Sequence, residues 1–372
     1  MKKIEEFIQA KLSERRQSLS FRSLKQSNTL VDFCSNDYLG FARSEELKLS
    51  TDEVIKNYSS YLLGSTGSRL ISGNSAFVEE LEQEIAEFHG SRSGLIFNSG
   101  YDANLGLLSS VPQRGDTVIA DELVHASIID GIRLSHASRF SFRHNDLTNL
   151  EEKLNAANGQ VYVVVESVYS MDGDEAPLAE IAALAERYNA ALVVDEAHAA
   201  GIFGNCGRGL VYQYSLQEKV FARVVTFGKA LGVHGAIVLG SSTIRDYLIN
   251  FSRPFIYTTA SSFRSHLSVK MAYSLLKTGT GQSLLHQKIA LFKNNTCSVA
   301  GFIKSRSPIQ CMMMPGNAEA RNAAEKLQKN GFDVRAILHP TVQEGKERLR
   351  ICLHSFNSNR EIIDLTKSLK EI

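Results

Sequence analysis

Three short segments place reactive side chains just past apolar runs. Ala191-Leu-Val-Val-Asp195-Glu-Ala-His198 ends such a run in an acid, with a histidine close behind. Val224-Val-Thr226-Phe-Gly-Lys229 ends another in a glycine-containing turn that carries a lysine. Leu95-Ile-Phe-Asn98-Ser99-Gly100-Tyr101 ends a third in small polar residues of the kind that open a helix, where backbone N–H groups suit a phosphate. A lysine can form an imine, a carboxylate can keep a pyridine nitrogen protonated so that the ring accepts electrons, and N–H groups and hydroxyls can hold a phosphate. Those are the requirements of a pyridoxal phosphate site, and His125, in Ala120-Asp-Glu-Leu-Val-His125-Ala-Ser, is the candidate aromatic cover for the ring. Each residue also has an ordinary reading: Asp195 as a helix cap, Lys229 as a solvated turn residue, His198 as a satisfied structural histidine.

The elements that must position these residues are legible in the periodicity. Short apolar runs at Gly94–Phe97, Thr117–Ala120, Val161–Val165, Ala191–Val194, Val224–Phe227 and Ala236–Leu239 read as buried strands. Phe77, Leu81, Ile85 and Phe88 share a helical face that Gly90 should terminate, and Leu178, Ile181, Leu184 and Tyr188 share another. Strands alternating with helices of this length predict right-handed crossovers and an α/β fold, its mostly parallel sheet covered on both faces. In such a sheet, ligands bind beyond the carboxyl ends of the strands, which is where Asp195 and Lys229 fall. Ile4, Phe7, Ile8 and Leu12 predict an N-terminal amphipathic helix that packs on this chain or on a neighbour. From about residue 280 the pattern loosens into a smaller α+β unit: a long helix, the run Gln310–Met314, a helix near Ala318–Asn330, and the run Leu349–Leu353 before a last helix. The expected division is an N-terminal helix and arm over 1–42, a large domain over 43–278 and a small one over 279–372, tightly docked.

Composition narrows the function classes. The 372 residues hold 41 Lys+Arg against 40 Asp+Glu, without the basic excess that supplies a nucleic-acid binder's affinity. The 5 cysteines are scattered without a C-x-x-C pair, so they read as buried reduced thiols rather than a disulfide framework or a zinc site. No stretch approaches the roughly 18 apolar residues of a spanning helix, and Glu5, Glu6 and Lys11 break any leader-like run. The chain therefore reads as cytoplasmic, with no membrane partner. No strand is followed by G-x-G-x-x-G, which disfavours a nicotinamide dehydrogenase, and there is no P-loop.

Taken in order, the segments resemble the α-oxoamine synthases, the branch of fold-type I pyridoxal phosphate enzymes that joins an amino acid to an acyl thioester. The likeness runs over nearly the whole chain. It is carried by Asp195-Glu-Ala-His198, Thr226-Phe-Gly-Lys229, Ser35-Asn-Asp-Tyr-Leu-Gly40, Gly64-Ser-Thr-Gly-Ser-Arg-Leu-Ile-Ser-Gly73, His125-Ala-Ser-Ile-Ile-Asp-Gly131, Phe142-Arg-His-Asn-Asp146, Ser167-Val-Tyr-Ser-Met-Asp-Gly-Asp174, Gly204-Asn-Cys-Gly-Arg-Gly209, Arg253-Pro-Phe-Ile-Tyr-Thr-Thr259 and Arg348-Leu-Arg350. Within the family, Gly67–Gly73 and Tyr169–Asp174 look like the member that condenses L-alanine with a pimeloyl thioester in biotin biosynthesis. Sister members take glycine or serine, and a non-catalytic partner subunit would be expected to lack Lys229.

The resemblance implies a role for each site residue. Lys229 would carry pyridoxal 5′-phosphate (PLP) as a Schiff base and then take the α-proton of the substrate. Asp195 would pair with the ring nitrogen, His198 with the ring hydroxyl, and His125 would stack on the ring. Ser170 would be a further cofactor contact, and Gly100, Tyr101 and Thr226 would hold the phosphate. Thr258 or Thr259 would reach a phosphate across a homodimer interface. Arg350 would grip the amino-acid carboxylate, a task suited to a planar guanidinium fork, and Arg22 the far carboxylate of an acyl chain borne by coenzyme A or a carrier protein. Two departures stand out. Val78 occupies a position where the family usually has histidine. His354-Ser355-Phe356-Asn357 replaces a threonine-alanine pair, which makes His354 a candidate substrate contact and puts acyl-chain specificity in question.

Overall fold

Residues 2–24, 29–58 and 63–372 are described by the computed structural model. The chain forms two compact units, a larger one of residues 36–170 and 175–284 and a smaller one of 1–35, 171–174 and 285–372.

The larger unit is built on a seven-stranded sheet. Its strands are β1 (Ser93–Phe97), β2 (Thr117–Asp121), β3 (Ser138–Phe142), β4 (Val161–Glu166), β5 (Ala191–Asp195), β6 (Ala222–Thr226) and β7 (Ala236–Gly240), in the order β1-β7-β6-β5-β4-β2-β3. Pairing is parallel from β6 across to β3, while β7 runs antiparallel to both β6 and β1. The sheet is thus mostly parallel with one reversed strand. Val163, Val164, Leu192, Val194, Val224 and Val225 are buried, as expected where helices cover both faces. Each such side chain contributes about 1.5–3 kcal/mol on leaving water.

β3 is the strand that apolar runs did not anticipate. Its Ser-Arg-Phe-Ser-Phe sequence alternates, and all but Phe142 are exposed, as befits a sheet edge. Around the sheet lie α1 (Ala76–Phe88), α2 (Gly100–Ser110), α3 (Ala126–Leu134) and α4 (Leu178–Arg187). α1 buries Leu81, Ile85 and Phe88 and stops where Gly90 takes a φ of +69°, a conformation glycine adopts without penalty.

In the smaller unit, β8 (Ile309–Met313), β9 (Arg335–Ile337) and β10 (Arg348–Cys352) form an antiparallel sheet in the order β9-β10-β8. Helix Asn359–Lys370 closes the chain with a capping box between Ser358 and Glu361. Val31–Asp32 pairs in parallel with Phe332–Asp333, which binds the N-terminal segment to this unit. The N-terminal helix spans Lys2–Gln17, and its apolar stripe is uncovered in the single chain, with Ile4 67% and Phe7 62% exposed.

The expectation of uniformly buried thiols needs correction. Cys311 and Cys352 are buried, Cys34 and Cys206 are half-buried, and Cys297 is exposed just past the helix Thr280–Thr296; all five are free. Among the described residues there is no cluster able to hold a metal ion and no helix long and apolar enough to cross a membrane.

Candidate active site

The carboxyl ends of β4, β5 and β6 carry Glu166, Asp195 and Thr226, with Lys229 in the turn that follows β6. Adjacent strands in register bring them together: Glu166 lies opposite Asp195 across the β4–β5 pairing. Beside β6, the open end of α2 presents Gly100 and Tyr101. First-turn N–H groups have no acceptor within their own helix, and Ser99 caps this one by accepting from the Asp102 N–H at 3.0 Å. A Cβ built on Gly100 would stand 3.4 Å from the Thr226 side chain, so glycine keeps a small cradle open between helix end and strand end.

Two hydrogen-bonded chains meet here. In the first, Asn104 Nδ2 donates to Asp195 Oδ2 at 2.7 Å and to Ser127 Oγ at 3.1 Å. Ser127 Oγ lies 2.8 Å from His125 Nδ1, which also accepts from the Ser127 N–H at 3.2 Å. With its oxygen receiving from Asn104, Ser127 spends its own hydrogen on Nδ1, leaving the ring hydrogen of a neutral His125 on Nε2. Burial, and then the charge of Lys229, lower His125 below the ordinary histidine range, in keeping with that neutral form. In the second chain, Lys229 Nζ lies 2.8 Å from His198 Nε2, His198 Nδ1 lies 2.8 Å from Tyr38 Oη, and Tyr38 donates to Asn36 Oδ1 at 2.9 Å.

The acids differ in a way that decides what the site can hold. Glu196 and Asp195 are consecutive and both buried, yet only Glu196 has a cation, accepting from Arg223 Nε at 2.9 Å. Among the described residues, the Asp195 carboxylate makes no ion pair; it receives only Asn104 and the Ala197 N–H, the latter at 2.8 Å. A buried carboxylate without a cation is costly unless a ligand supplies one. Glu166 is buried, and among the described residues its Oε1 has no hydrogen-bond partner. Burial, and after it the negative charge of Asp195, push its carboxyl up to about 8. Asp195 awaiting a cation, an amine beside a histidine and an open helix end fit a protonated pyridine, an aldehyde and a phosphate respectively. The residues therefore fit PLP.

Comparison with known proteins agrees. The family Aminotransferase class I and II matches residues 28–365. The chain is 42% identical to the 8-amino-7-oxononanoate synthase of Emericella nidulans, over 91% of this chain and 88% of the relative. It is 39% identical to the enzyme of that name from Methylococcus capsulatus, over 92% and 88%. The chain belongs to the α-oxoamine synthases. Solved members of this family share its fold: the serine palmitoyltransferase of S. paucimobilis with PLP–myriocin bound has a TM-score of 0.89 at 25% identity, over 98% of this chain and 96% of that one. The 8-amino-7-oxononanoate synthase of Francisella tularensis has a TM-score of 0.80 at 28% identity, over 93% and 98%. As in this family generally, the cofactor is PLP.

Of the residues the sequence singled out, the larger unit gathers Lys229, His198, Asp195 and His125 into the two hydrogen-bonded chains, with Gly100 and Thr226 side by side. Ser170 is buried, and its backbone favours the charged form of Glu166. Tyr101 lies edge-on to His125, with ring centres 6.5 Å apart, and its hydroxyl donates to Asp130. Thr258 Oγ1 and the Thr259 carbonyl both receive Asn98 Nδ2 at 2.9 Å. Val78 is buried in α1.

The other three candidates lie in the smaller unit. Arg350 is buried on β10, with Nη1 3.0 Å from Cys352 Sγ. Arg22 is exposed and donates to Thr341 Oγ1 at 2.9 Å. His354, expected as a substrate contact, is held by its own unit in the single chain. Its ring is 0% exposed, with Nδ1 3.0 Å from Asn357 Oδ1 and Nε2 3.0 Å from the Ser35 carbonyl, and it stacks on Phe356. Both nitrogens have partners within the smaller unit.

Asn104, Glu166 and Tyr38 were missed. Glu166 carried the same signal as Asp195, an acid ending an apolar run. Asn104 is a polar residue on the buried face of α2, beside Ala103 and Leu107.

Proposed function

We propose that this protein condenses L-alanine with a pimeloyl thioester, releasing the thiol and carbon dioxide and forming 8-amino-7-oxononanoate. The observation that carries this reading is the 42% identity, over most of both chains, to a protein named for that product. Bound PLP supplies an electron sink for the α-carbon of the amino acid.

The chain's own residues would do the rest. Lys229 would anchor the cofactor and take the α-proton of alanine on Nζ. Asp195 would supply the negative charge that keeps the ring nitrogen protonated, and Asn104 holds that carboxylate in place. Gly100, Tyr101 and Thr226 would bind the phosphate through N–H and O–H donors. His125, neutral and with a hydrogen on Nε2, would cover the ring and donate to an oxygen of the substrate. Family likeness assigns Arg350 to the amino-acid carboxylate, and Arg350→Lys should raise KM for the amino acid more than it lowers kcat. The protein would work in the cytoplasm, as a homodimer; the uncovered stripe of Ile4, Phe7 and Ile8 supports the homodimer.

A second reading, a sister enzyme that takes serine, draws on the TM-score of 0.89 to serine palmitoyltransferase; its 25% identity makes it the weaker one. The test is to titrate L-alanine, glycine and L-serine into the PLP-loaded protein, then add pimeloyl-CoA and measure released thiol and carbon dioxide. Turnover with alanine, at one thiol and one carbon dioxide per product, is expected. Turnover confined to glycine or serine would replace the assignment with a sister activity.

A further inference from the structure

His198 is 3% exposed and Tyr38 0%, so both are shut off from bulk water. His198 Nε2 faces Lys229 Nζ at 2.8 Å, an amine that donates, so Nε2 must accept. The single hydrogen of a neutral ring then sits on Nδ1 and is given to Tyr38 Oη at 2.8 Å. The phenol can receive it because its own hydrogen goes to Asn36 Oδ1 at 2.9 Å.

Loading PLP changes what Nε2 meets. In PLP the ring hydroxyl is carried by the carbon next to the one bearing the aldehyde. A side chain in contact with the imine-forming lysine, on the side away from the phosphate, would lie within reach of that oxygen, which once ionised would need a donor. To supply one, His198 must move its hydrogen to Nε2, and buried Nδ1 then requires a donor of its own. A backbone carbonyl or a carboxylate behind Nδ1 would forbid this, because neither can donate. A hydroxyl permits both states, since it accepts from Nδ1–H in one and donates to bare Nδ1 in the other.

We propose that Tyr38 is a positioning residue whose two-way hydroxyl lets buried His198 exchange tautomers, presenting an acceptor to Lys229 in the empty site and a donor to the cofactor's ring oxygen in the loaded one. The proposal rests on PLP occupying this site.

The test is nitrogen NMR of ring-labelled histidine in the wild type, with and without PLP, and in Tyr38→Phe; His198→Gln assigns the signals. The wild type should carry the His198 hydrogen on Nδ1 when empty and on Nε2 when loaded. Tyr38→Phe should lose the exchange and bind PLP about three- to tenfold more weakly, the effect of one buried hydrogen bond. One tautomer in both wild-type states would overturn the proposal, and this arm decides even if Tyr38→Phe does not fold. An exchange that survives in Tyr38→Phe would overturn it equally. The visible absorption band that appears on loading reports cofactor binding by itself, so failure of the cofactor reading is seen apart from failure of this one.

Discussion

Asp195 and Glu196 share one buried strand end, and the arginine goes to Glu196. That asymmetry is what makes Asp195 available to a ligand's cation. Asp195→Asn keeps the shape and removes the charge, so PLP affinity should fall about 10- to 100-fold, the worth of a charge-assisted hydrogen bond. A titration followed at the cofactor's absorption band checks this. Glu166 gives a prediction in pH. Its native carboxyl is raised from 4.5 to about 8, so between those values the folded protein holds a proton that the unfolded chain has released. Stability contributed by this group is therefore present at low pH and is lost as pH rises through that window. In Glu166→Gln without cofactor, denaturant unfolding from pH 5 to 8 should lose this falling component, at most about 1.4 kcal/mol per pH unit. An identical pH slope in both proteins would refute the shift.

Helix α2 and the strands beside it set the phosphate cradle. Gly100→Val puts a branched side chain where even a Cβ stands 3.4 Å from Thr226. PLP affinity should fall at least about tenfold while the thermal midpoint of the cofactor-free protein changes little. Ser99→Ala removes the cap of the same helix and should cost about 1 kcal/mol of stability, measured by denaturant unfolding.

What could be read in the sequence follows from the range over which each contact acts. Asp195 and Lys229 were visible because a buried strand and the residue that ends it are neighbours in the chain. Tyr38 stood inside a quoted motif without a role, because its partner His198 lies 160 residues away. β3 was missed because an edge strand with one face in water has no apolar run to betray it. His354 was legible only as a departure from a family pattern, and its partners Ser35 and Asn357 come from both ends of the chain.

At the scale of the whole molecule, the division of the chain was the least legible feature. Residues 1–35 belong to the unit that holds the C-terminus, because Val31–Asp32 pairs with Phe332–Asp333 across some 300 residues of chain. The exposed stripe of the N-terminal helix argues for assembly. Sedimentation should show twice the mass of one chain at micromolar concentration, and Phe7→Asp should shift the equilibrium toward single chains. Wild-type protein sedimenting as a single chain would rule out the homodimer.

Lys229 would bear the cofactor. Protein loaded with PLP, reduced with borohydride and digested should carry the reduced adduct on the peptide containing Lys229, and Lys229→Ala should show neither adduct nor visible band. An adduct on a different lysine, or a folded wild-type protein that takes up no PLP, would contradict it.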